Sequence, residues 1–308
     1  MFSRSVANEE NTRHNVVKMF LIVHNPLSNN KKSKKTTNKW VKFFKRHDVP
    51  ITVRSTLKID DLNAYLDKHP KITDILYLGG DGSINYLINN VDVSKIKQNL
   101  YLSKSGSGND FLRTLKQHKR GNINIGKAAT NSGTVSFING CGVGFDALVG
   151  YYVNNDTKKN KLSYFMNVFR AVFHYERSDM TVIVDGKEHL FHKTYFIAIQ
   201  NGRYFGGGMK ITPKGDPTKD TFRICVAHNL NTTILLALFP TIYMGIHTWV
   251  KKRIQMLEGK EIIVKFPSSR YFQADGEVLE GVSEMTVTKS IQREFIAFNK
   301  RRFLKSIK

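Results

Sequence analysis

Acidic residues are scarce in this 308-residue sequence: 25 Asp and Glu stand against 48 Lys and Arg, for a formal net charge of +23. Cysteine is scarcer still. Cys141 and Cys225 are the only two, and neither sits in metal-type spacing. A disulfide scaffold is thereby excluded, and the pair reads as reduced, buried thiols of a cytosolic protein. Long apolar runs are also missing. The longest, "ILLALFPTIYMGIHTWV" at 234–250, is shorter than the ~20 residues of a spanning helix and carries Pro240, Thr241 and His247. It reads as a buried or interfacial helix rather than a transmembrane span. Residues 1–16 lack the apolar core of a secretory signal, so 1–18 is expected to be a disordered leader, with the fold starting near Met19. A Walker-type G-x-x-x-x-G-K-[ST] is absent, which removes P-loop chemistry. Internal repeats and low-complexity linkers are absent as well.

What is present suits two ordinary domains: 41% hydrophobic and 24% charged residues are enough for a core. The basic balance attracts polyanions, whether nucleic acid, anionic lipid headgroups or nucleotides. A strip of arginines interleaved with stacking aromatics is lacking, so no specific nucleic-acid partner is expected.

The first third alternates strand and helix. "MFLIVHNP", "ITVRST" and "DILYLGG" read as strands; "NKWVKFFKRH", "IDDLNAYLDKH" and "SINYLINNV" read as helices. Continuous apolar strands divided by helices predict a Rossmann-like parallel α/β domain, over 19–123, whose ligands lie beyond the carboxyl ends of the strands. From residue 124 the period changes. "GTVSFING", "MTVIVDG", "TYFIAIQNG", "TFRICVAH" and "EIIVKF" are short strands of an antiparallel, β-rich, sandwich-like second domain over 124–294. Helical insertions are expected near 158–177 and 232–257. The last stretch, about 295–308, is assigned back to the first domain.

Four loops carry chemistry. Gly79, Gly80, Asp81, Gly82 and Ser83 end a strand and open a helix, an arrangement whose bare amides bind anions. Asp81 would repel a bare phosphate, which points to magnesium as the intermediary; a tight turn with a capping aspartate accounts for the segment equally well. "SGSGNDFLR" at 105–113 repeats the pattern with Asn109 and Asp110, and an ordinary N-cap is again the alternative. "HNPLSNNKKSKK" at 24–35 offers Asn25, Ser28 and lysines to phosphate, or is a solvated turn. "FQADGE" at 272–277 sets Asp275 and Glu277 around a glycine, where they can converge on one metal or one proton, or simply form a hairpin turn. A fifth stretch, "GCGVGFDA" at 140–147, contains the dinucleotide fingerprint G-x-G-x-x-A, but the acid expected about twenty residues on is missing.

In this order the blocks resemble the diacylglycerol kinase-type lipid kinase family in its soluble bacterial form. The resemblance rests on N-P-x-S at 25–28, G-G-D-G-S-x-N at 79–85, G-S-x-N-D-F at 106–111, F-I-N-x-x-x-x-G-F-D-A at 137–147 and D-G-E at 275–277. It implies an ATP- and Mg2+-dependent kinase with an interdomain cleft that phosphorylates a lipid hydroxyl, diacylglycerol or a related lipid. On that pattern Asn25, Pro26, Ser28, Thr56, Gly79 to Ser83, Asn85 and Ser107 hold the nucleotide. Asp81 and Asp110 organise magnesium, Asp220 contributes from the second domain, and Glu277 is the proton acceptor with Asp275 beside it. The implied setting is cytoplasmic, peripheral on an anionic membrane; a homodimer is compatible with it.

Several positions depart from the family pattern. Asn29 and Tyr86 stand where glycine and glutamate are usual, Thr221 follows Asp220 in place of glycine, and Asn124 replaces an aspartate. Asn124 leaves room for a basic binding module that keeps the fold without catalysis. NAD kinase, which shares G-G-D-G, is the other enzyme reading, although the D-G-E turn favours lipid. Two segments are candidates for membrane docking: the face of Leu162, Phe165, Phe169, Val172 and Phe173, and residues 234–253 ending in Trp249 and a basic triplet.

Overall fold

The computed structural model describes residues 18–26, 33–105, 108–118, 122–156 and 161–307, the side chains of 161–165 apart. The first unit runs β1 (Phe20–His24), α1 (Ser33–Lys45), β2 (Ile51–Ser55), α2 (Leu62–Asp67), β3 (Asp74–Gly79), α3 (Asp81–Asn90), β4 (Asn99–Lys104) and α4 (Asp110–Leu115). Its strands pair in parallel in the order β2-β1-β3-β4. Side chains alternate across a strand, and here both faces are apolar. Leu21, Val23, Ile75 and Tyr77 face α2, α3 and α4. Phe20, Ile22, Leu76 and Leu78 face α1 on the opposite side. The carboxyl ends of β1, β2, β3 and β4 therefore open on one edge, where Asn25, Thr56, Gly80 and Ser105 follow.

The second unit is built from β5 (Asn122–Thr130), β6 (Gly133–Phe137), β7 (Gly140–Gly144), α5 (Phe145–Asn155), α6 (Lys161–His174), β8 (Ser178–Val184), β9 (Lys187–Gln200), β10 (Phe222–His228), α7 (Thr232–Met244), β11 (Ile254–Gly259), β12 (Ile262–Ala274) and β13 (Glu277–Ala297). Its strands pair antiparallel in the order β11-β10-β9-β7-β12-β13-β5-β6, and β8 bridges β9 and β12. Phe137, Phe222, Phe272 and Met285 fill the inner core; α5, α6 and α7 cover the other face. The expected pairing of a parallel α/β unit with an antiparallel β-rich unit is what the chain forms.

One strand belongs to both. β13 pairs antiparallel with β12 and β5, and its last residues, Phe295–Ala297, pair parallel with β4. The chain then enters α8 (Lys300–Ser306), whose Phe303 lies 5.5 Å from the ring of Phe20 and 5.4 Å from that of Phe44. One expected helix is corrected. Residues 254–257 are strand, because Gly245 closes α7 in the left-handed region at φ 78° and Ile254 to Gly259 then pair with β10.

The Phe303 contacts make α8 part of the first core. Phe303→Ala is expected to cost about 3–5 kcal/mol in urea unfolding. A loss below about 1 kcal/mol would show that α8 is peripheral to it.

Candidate active site

Gly79 is the last residue of β3, and a Cβ there would collide with Ser83 of α3. The strand can therefore turn straight into the helix only with glycine at this point. Gly80 caps α3 without a side chain, so the helix N-terminus is presented as bare backbone. Asp81 turns its carboxylate to the neighbouring loop. Its oxygens accept from the amides of Asp110, at 2.9 Å, and Phe111, at 3.1 Å, while its own amide donates to the carbonyl of Gly108. Asp81 thus supplies the N-terminal cap of α4 from outside the loop. Burial pushes its pKa up, against those amides and the Asn139 side chain.

Asp110 is buried and links the first unit to the second. One oxygen lies 2.6 Å from Arg113 Nη1, and the other accepts from the amide of Gly207 at 2.8 Å. Gly207 belongs to the triple glycine 206–208, which follows β9.

Asp275 and Glu277 do not converge. Asp275 and Gly276 make the turn between β12 and β13 with φ 50° and 95°. This folds the Asp275 carboxylate inward, where it accepts from the amides of Ile138 (2.7 Å), Asn139 (2.9 Å) and Gly140 (3.1 Å). Burial raises its pKa to about 6, opposed by those three amides. Glu277 starts β13 on the exposed side, paired through its backbone with Ala274, and its side chain makes no hydrogen bond or ion pair among the described residues.

The remaining predicted residues divide. Thr56 lines a cavity of about 140 Å³ with Tyr77, Tyr86 and Asn90, beside the end of β2. Asn25 and Pro26 follow β1 on the same edge, half-buried, whereas Ser28 and Ser107 lie outside the described residues. Ser83 is buried under the glycine turn, with its carbonyl bonded to the Tyr77 hydroxyl, and Gly82 has open space where a Cβ would stand. Asn85 sits in the joint between the units: its amide lies 3.4 Å from Asp275 Oδ2 and from the Ser136 carbonyl. Asp220 is not brought to this place at all. It is exposed, paired at 2.8 Å with Lys260, and that pairing holds its carboxyl below the usual range.

Asn124, where the family pattern has aspartate, is buried and donates its amide to the carbonyls of Thr218 (3.2 Å) and Lys219 (2.9 Å), with that of Pro217 at 3.5 Å. An aspartate would face these carbonyls with acceptors only. The side chain at 124 holds this loop, so its loss of charge does not subtract a carboxylate from the cleft.

Asp81, Asp110 and Asp275 line one interdomain cavity of about 300 Å³. Further polar residues to which motif reading gave no role also line it, Asn139, Asp146, Asn154, Gln200 and Gln273. Asp146 lies at the start of α5, inside the fingerprint-like "GFDA". Gln273 donates to its Oδ2 at 3.1 Å, and burial raises its pKa to about 7. Only Asn139 and Asp146 had a local signal, through F-I-N and G-F-D-A. Gln200 had none, since β9 reads as an apolar strand.

Comparison with known proteins agrees with this fold, an α/β unit followed by an antiparallel β-rich unit. Residues 19–136 match the diacylglycerol kinase catalytic domain, and residues 140–292 match the YegS C-terminal NAD kinase beta sandwich-like domain. The chain belongs to the diacylglycerol kinase-type lipid kinase family. Enzymes of this family are phosphotransferases with an alcohol group as acceptor. The chain is 25% identical to "Putative lipid kinase YtlR" of Bacillus subtilis over 68% of its own length and 75% of the relative's. It is 24% identical to the diacylglycerol kinase of Mycobacterium tuberculosis, over 66% and 70%. In fold it is similar to a crystal structure from Bacillus anthracis named "putative diacylglycerol kinase", with a TM-score of 0.69, 20% identity and coverage of 92% of this chain and 98% of that one.

Among the raised carboxyls, Asp275 and Asp146 set a pH dependence. The folded chain binds their protons more tightly than the unfolded chain, in which an aspartate titrates near 3.9. Their stabilisation is complete below pH ~4 and is lost as pH rises through about 6 for Asp275 and about 7 for Asp146. Asp146→Asn keeps an acceptor for Gln273 and removes one of the two ionisations. Urea midpoints measured from pH 4 to 8 should therefore fall less steeply in the variant than in wild type; an unchanged slope would contradict the assignment.

Proposed function

We propose that this lipid kinase uses ATP with magnesium to phosphorylate a hydroxyl of a membrane lipid in the interdomain cleft. The supporting observation is the convergence of Asp81 from the glycine turn, Gly108 and Asp110 from the next loop, and the second-unit turn at Asp275 and Gly276 on one cavity. The glycine turn at the start of α3, with open space at Gly82, suits the close approach of a phosphate chain. Arg113, held by Asp110 and half-exposed, is placed to neutralise charge that builds on the transferred group.

The donor set suits magnesium that enters with the nucleotide as part of the substrate. Among the described residues no group of three or more His, Cys, Asp or Glu converges as a metal nest. Both oxygens of Asp81 and of Asp110 already accept from protein donors. Each retains a second lone pair, enough to hold the waters of a hydrated ion. The ion neutralises phosphate charge when bound. Glu277, exposed next to the cavity-lining Gly276 and with a side chain free of partners among the described residues, is the proton acceptor for the lipid hydroxyl. Asp275, with its three amides, acts as a positioning residue.

Surface chemistry supports work at an anionic leaflet. Lys34, Lys35, Lys39, Lys42 and Arg46 form with Lys300 a basic groove along α1 and α8. Phe173 and Trp249 are 73% and 79% exposed, and Lys251 and Lys252 follow Trp249. The expected docking face of α6 is narrower than its sequence spacing implied. Val168, Ala171 and Val172 are buried against the second unit, Met166, Phe169 and Phe173 point outward, and the side chains of Leu162 and Phe165 lie outside the described residues. Among the described residues no helix is long and apolar enough to cross a membrane.

The test is transfer of labelled phosphate from ATP to lipids in vesicles with and without anionic lipid. Wild type should turn over only with magnesium and faster on anionic vesicles. Asp81→Ala and Glu277→Gln should each lose at least about 10²-fold in kcat. Turnover equal to wild type in either variant would remove that residue from the reaction.

A further inference from the structure

The inner wall of the cavity carries polar groups that the phosphate-transfer scheme does not use. Gln200, at the end of β9, is 1% exposed, and neither its carboxamide oxygen nor its nitrogen has a hydrogen-bond partner among the described residues. Asn139 is 6% exposed. Its amide nitrogen is turned to the Asp81 carboxylate, which can only accept, so its oxygen is fixed as the group left without a partner. Asp146 Oδ1 is likewise buried and unpartnered, while Gln273 holds Oδ2. Val149 and Val153 of α5 supply an apolar wall beside these groups. Buried polar atoms are nearly always satisfied. Three side chains from three different parts of the second unit bring unsatisfied atoms to the lining of one cavity, where a ligand would satisfy them.

We propose that this wall is a headgroup site selecting a lipid with several hydrogen-bond donors, a polyol or amino-alcohol head, over a diacylated glycerol. This deepens the lipid-kinase reading and rests on it. The inventory decides the class. The oxygens of Asn139 and Gln200 each require a donor from the ligand, and the Gln200 nitrogen requires an acceptor. A diacylglycerol has one hydroxyl, and that hydroxyl is the group to be phosphorylated; its ester carbonyls accept only. A monoacylglycerol keeps a second hydroxyl, which donates to one of the two oxygens, and a sphingoid base keeps a hydroxyl and an amine, enough donors for both. Sites built to hydrogen-bond a hydroxyl discriminate strongly against analogues lacking it, because their own buried groups are then left unpaired.

The test is titration calorimetry of the full chain, without nucleotide, with a short-chain monoacylglycerol, a short-chain sphingoid base and a chain-matched diacylglycerol below their aggregation limits. Wild type and Gln200→Met, which keeps length and removes both polar atoms, are compared. The variant should bind the first two about tenfold more weakly and the diacylglycerol within about twofold of wild type. In the phosphate-transfer assay wild-type kcat/KM should favour one of the two donor-rich heads at least about tenfold. Equal weakening for all three lipids, no weakening, or no lipid binding would overturn the headgroup site. Selective binding without phosphate transfer would leave the site standing and overturn the kinase reading instead. If thermal melting shows Gln200→Met unfolded, Gln200→Leu replaces it, with the same outcomes.

Discussion

The arrangement depends on a relay of carboxylates that grip main-chain amides across the junction of the two units. Asp275 holds Ile138, Asn139 and Gly140; the Asn139 side chain reaches Asp81; Asp81 holds Asp110 and Phe111; and Asp110 holds Gly207. Each link is a carboxylate or amide accepting or donating in a buried place, where such bonds are strong and their loss costly. Four loops from distant parts of the chain are thereby fixed around one space. Burial raises the pKa of Asp81 and Asp275, the amides oppose it, and the same amides hold both side chains in place.

A second constraint is β13. Because a single strand is hydrogen-bonded into both sheets, the units share backbone rather than a linker. Asn85 and Asp275 add a side-chain tie at the same joint. Here the cleft is a property of the continuous sheet, and it suits chemistry that requires donor and acceptor to be held in register. Among the described residues a group of cations, Lys34, Lys35, Lys39, Lys42, Arg46 and Lys300, lies along α1 and α8, apart from the lining of this cleft.

Much of this was legible in the sequence, and the reasons differ by residue. The parallel strands announced themselves as unbroken apolar runs, and the glycine turns at 79–83 and 108 carry their chemistry locally. Asp81, Asp110 and Asp275 could be picked out because each sits in a compact motif. Their partners could not. Whether Asp275 serves as a base or as a clasp depends on amides 135–137 residues away. Asp220 was drawn to the site by resemblance, yet Lys260 holds it at the surface. Asn124 looked like a lost charge and is a donor to a loop ninety-odd residues on. Gln200 was invisible, since a single amide at the end of an apolar strand acquires meaning only when Asn139 and Asp146 are placed beside it.

The central claim is that nucleotide phosphates lie against the α3 and α4 N-termini that Asp81 joins. Hydrogen exchange of the full chain with and without ATP and magnesium tests it most directly. Slowed exchange is predicted at amides 80–83 and 108–111, with the Asp220 loop unchanged. Saturating nucleotide that leaves both glycine turns exchanging at their free rate would contradict the account.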